Sequence, residues 1–95
     1  MKRNIILIFV IFSALVSKSQ ITISGFVYDA ETKEAIIGAN IIDSINSKGT
    51  TTNNQAYYVL RTNSPVIKVS FIGYQSQTVT VNQSNDTILN IYLNP

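Results

Sequence analysis

The 95-residue chain has no cysteine, histidine or tryptophan, and only 13% of it is charged. Without Cys or His there is no four-ligand zinc site, no thiol nucleophile, no Ser-His or Cys-His pair and no imidazole base. Nor can a disulfide compensate for a small core, so stability must come from packing. The length allows one small domain. The formal charge of +2 leans on Lys2, Arg3 and Lys18, all near the N-terminus. Residues 20–95 carry four basic against five acidic side chains, a net −1. Four scattered cations make no basic stripe that could release counterions from phosphates, which argues against a nucleic-acid partner.

Lys2 and Arg3 precede a run from Ile5 to Val16 in which eleven of twelve residues are apolar, broken by Ser13. A bilayer-spanning helix needs about 20 apolar residues, and this run passes at once into Ser17-Lys18-Ser19-Gln20. The pattern is that of a secretory signal, with small residues at the spacing that precedes cleavage. We expect residues 1–19 to be a signal peptide cut near Ser19/Gln20, against the alternatives of a retained anchor or a core strand. Residues 20–95 are then one exported domain without a transmembrane segment.

From Gln20 onward, β-branched and aromatic residues alternate with polar ones in short runs, and helical periodicity is weak. Ile21 to Asp29 sets Ile21, Ile23, Gly25 and Val27 against Thr22, Ser24, Phe26 and Tyr28. Further strands are expected over Ile36 to Ile45, with Gly38 as a bulge, then Thr50 to Thr52, Tyr57 to Thr62 and Val66 to Phe71. Gln75 to Val81 and Thr87 to Leu93 complete the set. Asn46 to Gly49, Asn53 to Gln55, Asn63 to Pro65 and Asn82 to Asn85 read as turns. About seven short strands in so short a chain predict an all-β fold, a Greek-key sandwich of two antiparallel sheets.

Read in order, several of these pieces resemble the carboxypeptidase-regulatory-like domain, a transthyretin-like sandwich. Ile23 to Asp29 is similar to its opening strand. Thr32-Lys33-Glu34-Ala35-Ile36-Ile37-Gly38-Ala39-Asn40 resembles Thr-Gly-Glu-Pro-Leu-x-Gly-Ala-Asn, with Lys33 and Ala35 as departures. Val69 to Tyr74 resembles Val-Ser-Tyr-Ile-Gly-Tyr. In Thr52-Asn53-Asn54-Gln55-Ala56-Tyr57-Tyr58, Ala56 replaces the glycine of Thr-Asp-x-x-Gly-x-Phe. If position 56 takes a positive φ, its Cβ costs about 1 kcal/mol and the hairpin is either shifted or mildly destabilised. The resemblance implies no catalysis and no cofactor. It implies an accessory domain of a TonB-dependent outer-membrane receptor, partnering a plug and barrel, in the periplasm or at the outer membrane. A chain stopping at Pro95 is then expected to be a truncated or split receptor product, or a free-standing exported module.

Five features bear on a possible site. Asp29, Glu31 and Glu34 cluster near a turn, but they lack the alternating ligands and internal glycine of a calcium loop and read as solvated charge. Phe26, Tyr28 and Tyr57, with Val59, fall opposite the core positions Val27, Tyr58 and Leu60, a candidate face for a protein or glycan. Gly25, Gly38, Phe71, Gly73 and Tyr74 read as structural, with Gly73 bending the chain, Phe71 entering the core and Tyr74 anchoring a corner. Thr87 to Leu93 is a candidate edge for strand addition. Asp43-Ser44-Ile45 and Asp86-Thr87-Ile88 also resemble a short O-glycosylation acceptor motif of exported bacterial proteins. No catalytic or metal-binding residue is expected.

Overall fold

The computed structural model describes residues 20–81 and 85–95. The expected signal segment, and residues 82–84 within the expected Asn82 to Asn85 turn, lie outside the described residues. Among the described residues eight strands form, β1 (Ile21–Asp29), β2 (Asn40–Asp43), β3 (Lys48–Thr51), β4 (Tyr57–Thr62), β5 (Val66–Ser70), β6 (Gln77–Thr80), β7 (Thr87–Ile88) and β8 (Ile91–Leu93). They make two four-stranded sheets: one with β1 central, flanked by β4 on one side and by β7 and β8 on the other, and a second in the order β3-β2-β5-β6.

β1 alternates buried and half-buried residues along its nine positions, as its sequence alternates. Its inward residues Ile23 and Val27 meet Ile41, Tyr58, Ile67, Val69 and Leu93 in one core cluster between the sheets. Each such side chain contributes about 1.5–3 kcal/mol when removed from water. The first sheet is mixed rather than antiparallel. β4 runs against β1, whereas β7 and β8 run parallel to it. A parallel partner must return from the far end of the fold, and here the chain builds the whole second sheet before it does.

The expected strand from Thr87 to Leu93 is interrupted. β7 and β8 share one register on β1, Ile23 facing Thr87 and Val27 facing Ile91, and between them the chain kinks at Leu89-Asn90. The cause lies in Gly25. A Cβ built there would sit 2.0 Å from the Leu89 carbonyl oxygen, so that carbonyl occupies the space a side chain would need. Tyr58, the register partner of Gly25 on β4, donates its hydroxyl to the Leu89 carbonyl at 2.7 Å. The Leu89 amide donates to the Ser24 carbonyl. Side chains replace two ladder acceptors, Asp86 taking the Thr22 amide and Asn90 the Phe26 amide.

The expected strand from Ile36 to Ile45 is also cut short. Gly38 turns at φ +82°, and Thr52 holds the turn by accepting the Ala39 amide at its hydroxyl and donating that hydroxyl to the Ile36 carbonyl. β3 begins at Lys48, so the preceding turn covers 44–47 rather than 46–49. Thr52 to Ala56 is not a hairpin: β3 pairs with β2 and β4 with β1, so this segment arches from one sheet to the other. Asn53 clamps the arch by accepting the Gln55 and Tyr57 amides. Ala56 sits within it, fully buried at φ +63°, so an alanine holds the left-handed conformation that favours glycine. Lys33 keeps φ +64° where the family has its other glycine.

Substitution at two glycines separates close packing from backbone strain. Gly25→Ala must displace the Leu89 backbone, and is expected to cost about 3 kcal/mol or more in urea denaturation. Gly73→Ala, at φ +88° with nothing within 4 Å of the new methyl, is expected to cost about 1 kcal/mol.

Candidate functional site

The outward side chains of the first sheet bring together the three aromatics singled out in the sequence. Phe26 and Tyr57 face each other across β1 and β4 with ring centroids 5.1 Å apart, and Phe26 stacks on Tyr28 at 6.0 Å. Tyr92 extends the row, stacked on Tyr28 at 5.5 Å, and the Lys33 ammonium lies 5.0 Å from its ring centre. Sequence reasoning passed over Tyr92 and Lys33. The alternation that puts Ile91 and Leu93 inside already turns Tyr92 outward, whereas nothing local to Lys33 points to a ring 59 positions away.

The row is a ladder across three strands, and its geometry limits its use. Neighbouring rings inclined at 21° and 30°, with centroids 6.0 and 5.5 Å apart, stack in an offset row that the Lys33 cation caps at Tyr92. The Lys33 ammonium also donates to the Ala30 carbonyl at 2.7 Å. Tyr28, Lys33, Asn90 and Tyr92 line an open recess of about 250 Å³. What this face presents is ring edges, hydroxyls and an amide, with exposed Val59 and Ile88 flanking Ser24 in the next cross-strand row.

The carboxylate cluster does not form as a cluster. Asp29 is buried at 7% exposure, while Glu31 and Glu34 are exposed. The solvated-charge reading therefore fails at Asp29. One of its oxygens accepts the Glu31 and Thr32 amides at 2.7 and 3.0 Å, and the other accepts the Tyr74 hydroxyl at 2.8 Å. The Thr32 amide, then Tyr74, holds the Asp29 carboxyl below its ordinary range, and the same bond raises the Tyr74 phenol. Tyr74 thereby ties the loop after β5 to the end of β1. Gly73 at φ +88° turns the chain to reach it, and Phe71 lies half-buried against the core. Among the described residues no three carboxylates converge to hold a metal ion.

A second carboxylate, which the sequence reading placed only within an acceptor motif, is more deeply set. Asp43 is fully buried at the opposite end of the sandwich, where its carboxylate accepts the Thr62 hydroxyl of β4. The Asn46 side-chain amide and the Ile45 and Asn46 backbone amides complete its shell. Burial pushes the carboxyl up, but these donors outweigh it and bring it down to about 2. Ser44, beside it, is exposed on the turn, and Thr87 is half-buried with its hydroxyl on the Asn85 carbonyl. The candidate edge of Thr87 to Leu93 does lie at a sheet margin, but as separate pieces of two and three residues.

A group whose carboxyl is lowered on folding stabilises the fold above its unfolded value, 3.8 for Asp43, and loses that contribution as pH falls toward 2. Asp43→Asn places an amide against the donors of Thr62 and Asn46. It is expected to cost about 2 kcal/mol at pH 7 in urea denaturation, with the gap to the parent narrowing between pH 4 and pH 2. A gap that does not change with pH would contradict this assignment.

The TonB-dependent receptor SusC of Bacteroides thetaiotaomicron is 39% identical over 71 residues, which are 74% of this chain and 7% of the receptor's length. Among solved structures, the C-terminal domain of the shaft pilin spaA from Lactobacillus rhamnosus GG aligns with a TM-score of 0.48 at 14% identity, over 82% of this chain and 99% of that one. The CarboxypepD_reg-like domain family matches residues 23–95, from the inward Ile23 of β1 to the end of the chain, and the protein belongs to that family.

Proposed function

We propose that residues 20–95 are a non-catalytic accessory domain of a TonB-dependent outer-membrane receptor, exported by the segment before them and working at the periplasmic side through contact with the receptor's plug and barrel. The observation that carries this reading is the alignment of most of the sandwich with a segment of the SusC receptor. The chemistry of the fold supports it. Asp29 and Asp43, the buried carboxylates among the described residues, are saturated with donors and held ionised, which suits neither a general acid nor a base. No described helix is long and apolar enough to cross a membrane.

An antibody against residues 20–95, used on fractionated cells of the source organism, tests the reading. The expected result is a band far larger than 10.5 kDa in the outer-membrane fraction. A soluble band of about domain size would instead indicate a free-standing exported module.

That second reading, a module binding a protein or glycan through Phe26, Tyr28 and Tyr57, has the half-buried aromatic row in its favour. With rings packed on one another and Val59 and Ile88 exposed beside them, the face fits a protein. Tyr28→Ala combined with Tyr57→Ala is expected to lower stability by about 1–3 kcal/mol in thermal or urea denaturation, since it dismantles the ladder. Loss of partner binding with stability intact would instead make this face the recognition surface.

A further inference from the structure

Parallel pairing of β1 with β8 sends the two ends of the domain in opposite directions. Ile21 begins β1 at the end where Asp43 meets Thr62, and Leu93 ends β8 beside Asp29. The exit point is fixed, because the Asn94 carbonyl accepts the Gln75 amide at 2.8 Å, next to the 71–74 turn. That same end carries two bare aliphatic side chains. Ile72 is 91% exposed at the tip of its turn, and Ile37 is 52% exposed in the adjoining turn, where Gly38 approaches Phe71. Their backbones are not loose. Tyr74 bonds Asp29, the Tyr74 amide donates to the Phe71 carbonyl, and Thr52 holds the 36–39 turn.

Acidic side chains outnumber basic ones around this end. Glu31 and Glu34 are exposed on the neighbouring turn, whereas the cation of that turn, Lys33, is committed to the Ala30 carbonyl and the Tyr92 ring. A rigid aliphatic knob with an acidic rim fits an apolar recess with a basic rim.

Building on the accessory-domain reading, we infer that the end of the sandwich formed by the 36–39 and 71–74 turns docks onto the receptor polypeptide that follows residue 95, with Ile72 as the inserted side chain and Glu31 and Glu34 facing basic groups. On that reading the occupant follows from the exit point: Asn94 is bonded to Gln75, three residues past Ile72, so the receptor segment that continues the chain is delivered to this end at high effective concentration. Ile88 is 82% exposed but lies on the outer face of the first sheet, where this arrangement brings nothing to it.

The test places a benzophenone amino acid at position 72, and separately at 88, in the full-length receptor in outer-membrane vesicles, followed by irradiation and peptide mapping. The expected result is at least about fivefold more intrachain crosslink from 72 than from 88, to peptides beyond the first ten or so residues after Pro95. Glu34→Lys should reduce the crosslink from 72 by at least about half. Equal yields at the two positions, or crosslinks from 72 chiefly to another polypeptide, would overturn the inference. If the cells hold only a domain-sized chain, the accessory-domain reading itself falls, an outcome distinct from a large receptor that fails to crosslink at 72.

Discussion

The sandwich depends on a carbonyl that stands where a side chain should be. Leu89 turns its oxygen into the space left by Gly25, and the Tyr58 hydroxyl, reaching over that glycine from the opposite neighbour strand, satisfies it. Four strands are locked by this contact: β4 supplies the donor, β1 the gap, and the junction of β7 and β8 the acceptor. Burial drives the Tyr58 phenol up to about 12, so it remains a donor at neutral pH, and a carbonyl inside the sandwich has its partner. A larger residue at 25 would expel the carbonyl, and the core position of Tyr58 would lose its purpose.

Two carboxylate-to-hydroxyl bonds then align the sheets. Asp29 with Tyr74 closes one end and Asp43 with Thr62 the other, each joining an element of the first sheet to one of the second. In a chain without cysteine these bonds fix how the layers sit across the apolar interior, which by itself sets little direction. Both carboxylates are also wrapped in the amides of their own turns, so the pins and the turns stand or fall together.

What the sequence disclosed follows from how local each feature is. β1 and β4 were legible to the residue because alternation alone defines them. Thr87 to Leu93 alternates equally well and yet is broken, because the cause is a missing Cβ 64 residues earlier in the chain. Ile36 to Ile45 lost its first half to Thr52, a polar side chain on another segment that captures its turn. The same division runs through the site. Phe26, Tyr28 and Tyr57 could be read from strand parity, and so could Tyr92. Asp29 looked like one acid among three, and only the fold brings Tyr74 to it.

Lys33 and Ala56 hold a left-handed backbone at the two places where the family's pattern has glycine. The surroundings explain how. At 33 the ammonium gains a carbonyl and a ring, and at 56 the methyl is enclosed while Asn53 clamps the arch around it. Both left-handed turns are thus held by their surroundings rather than by glycine. Their path is fixed by contacts made elsewhere in the fold, so a glycine would fit either turn without altering the main chain.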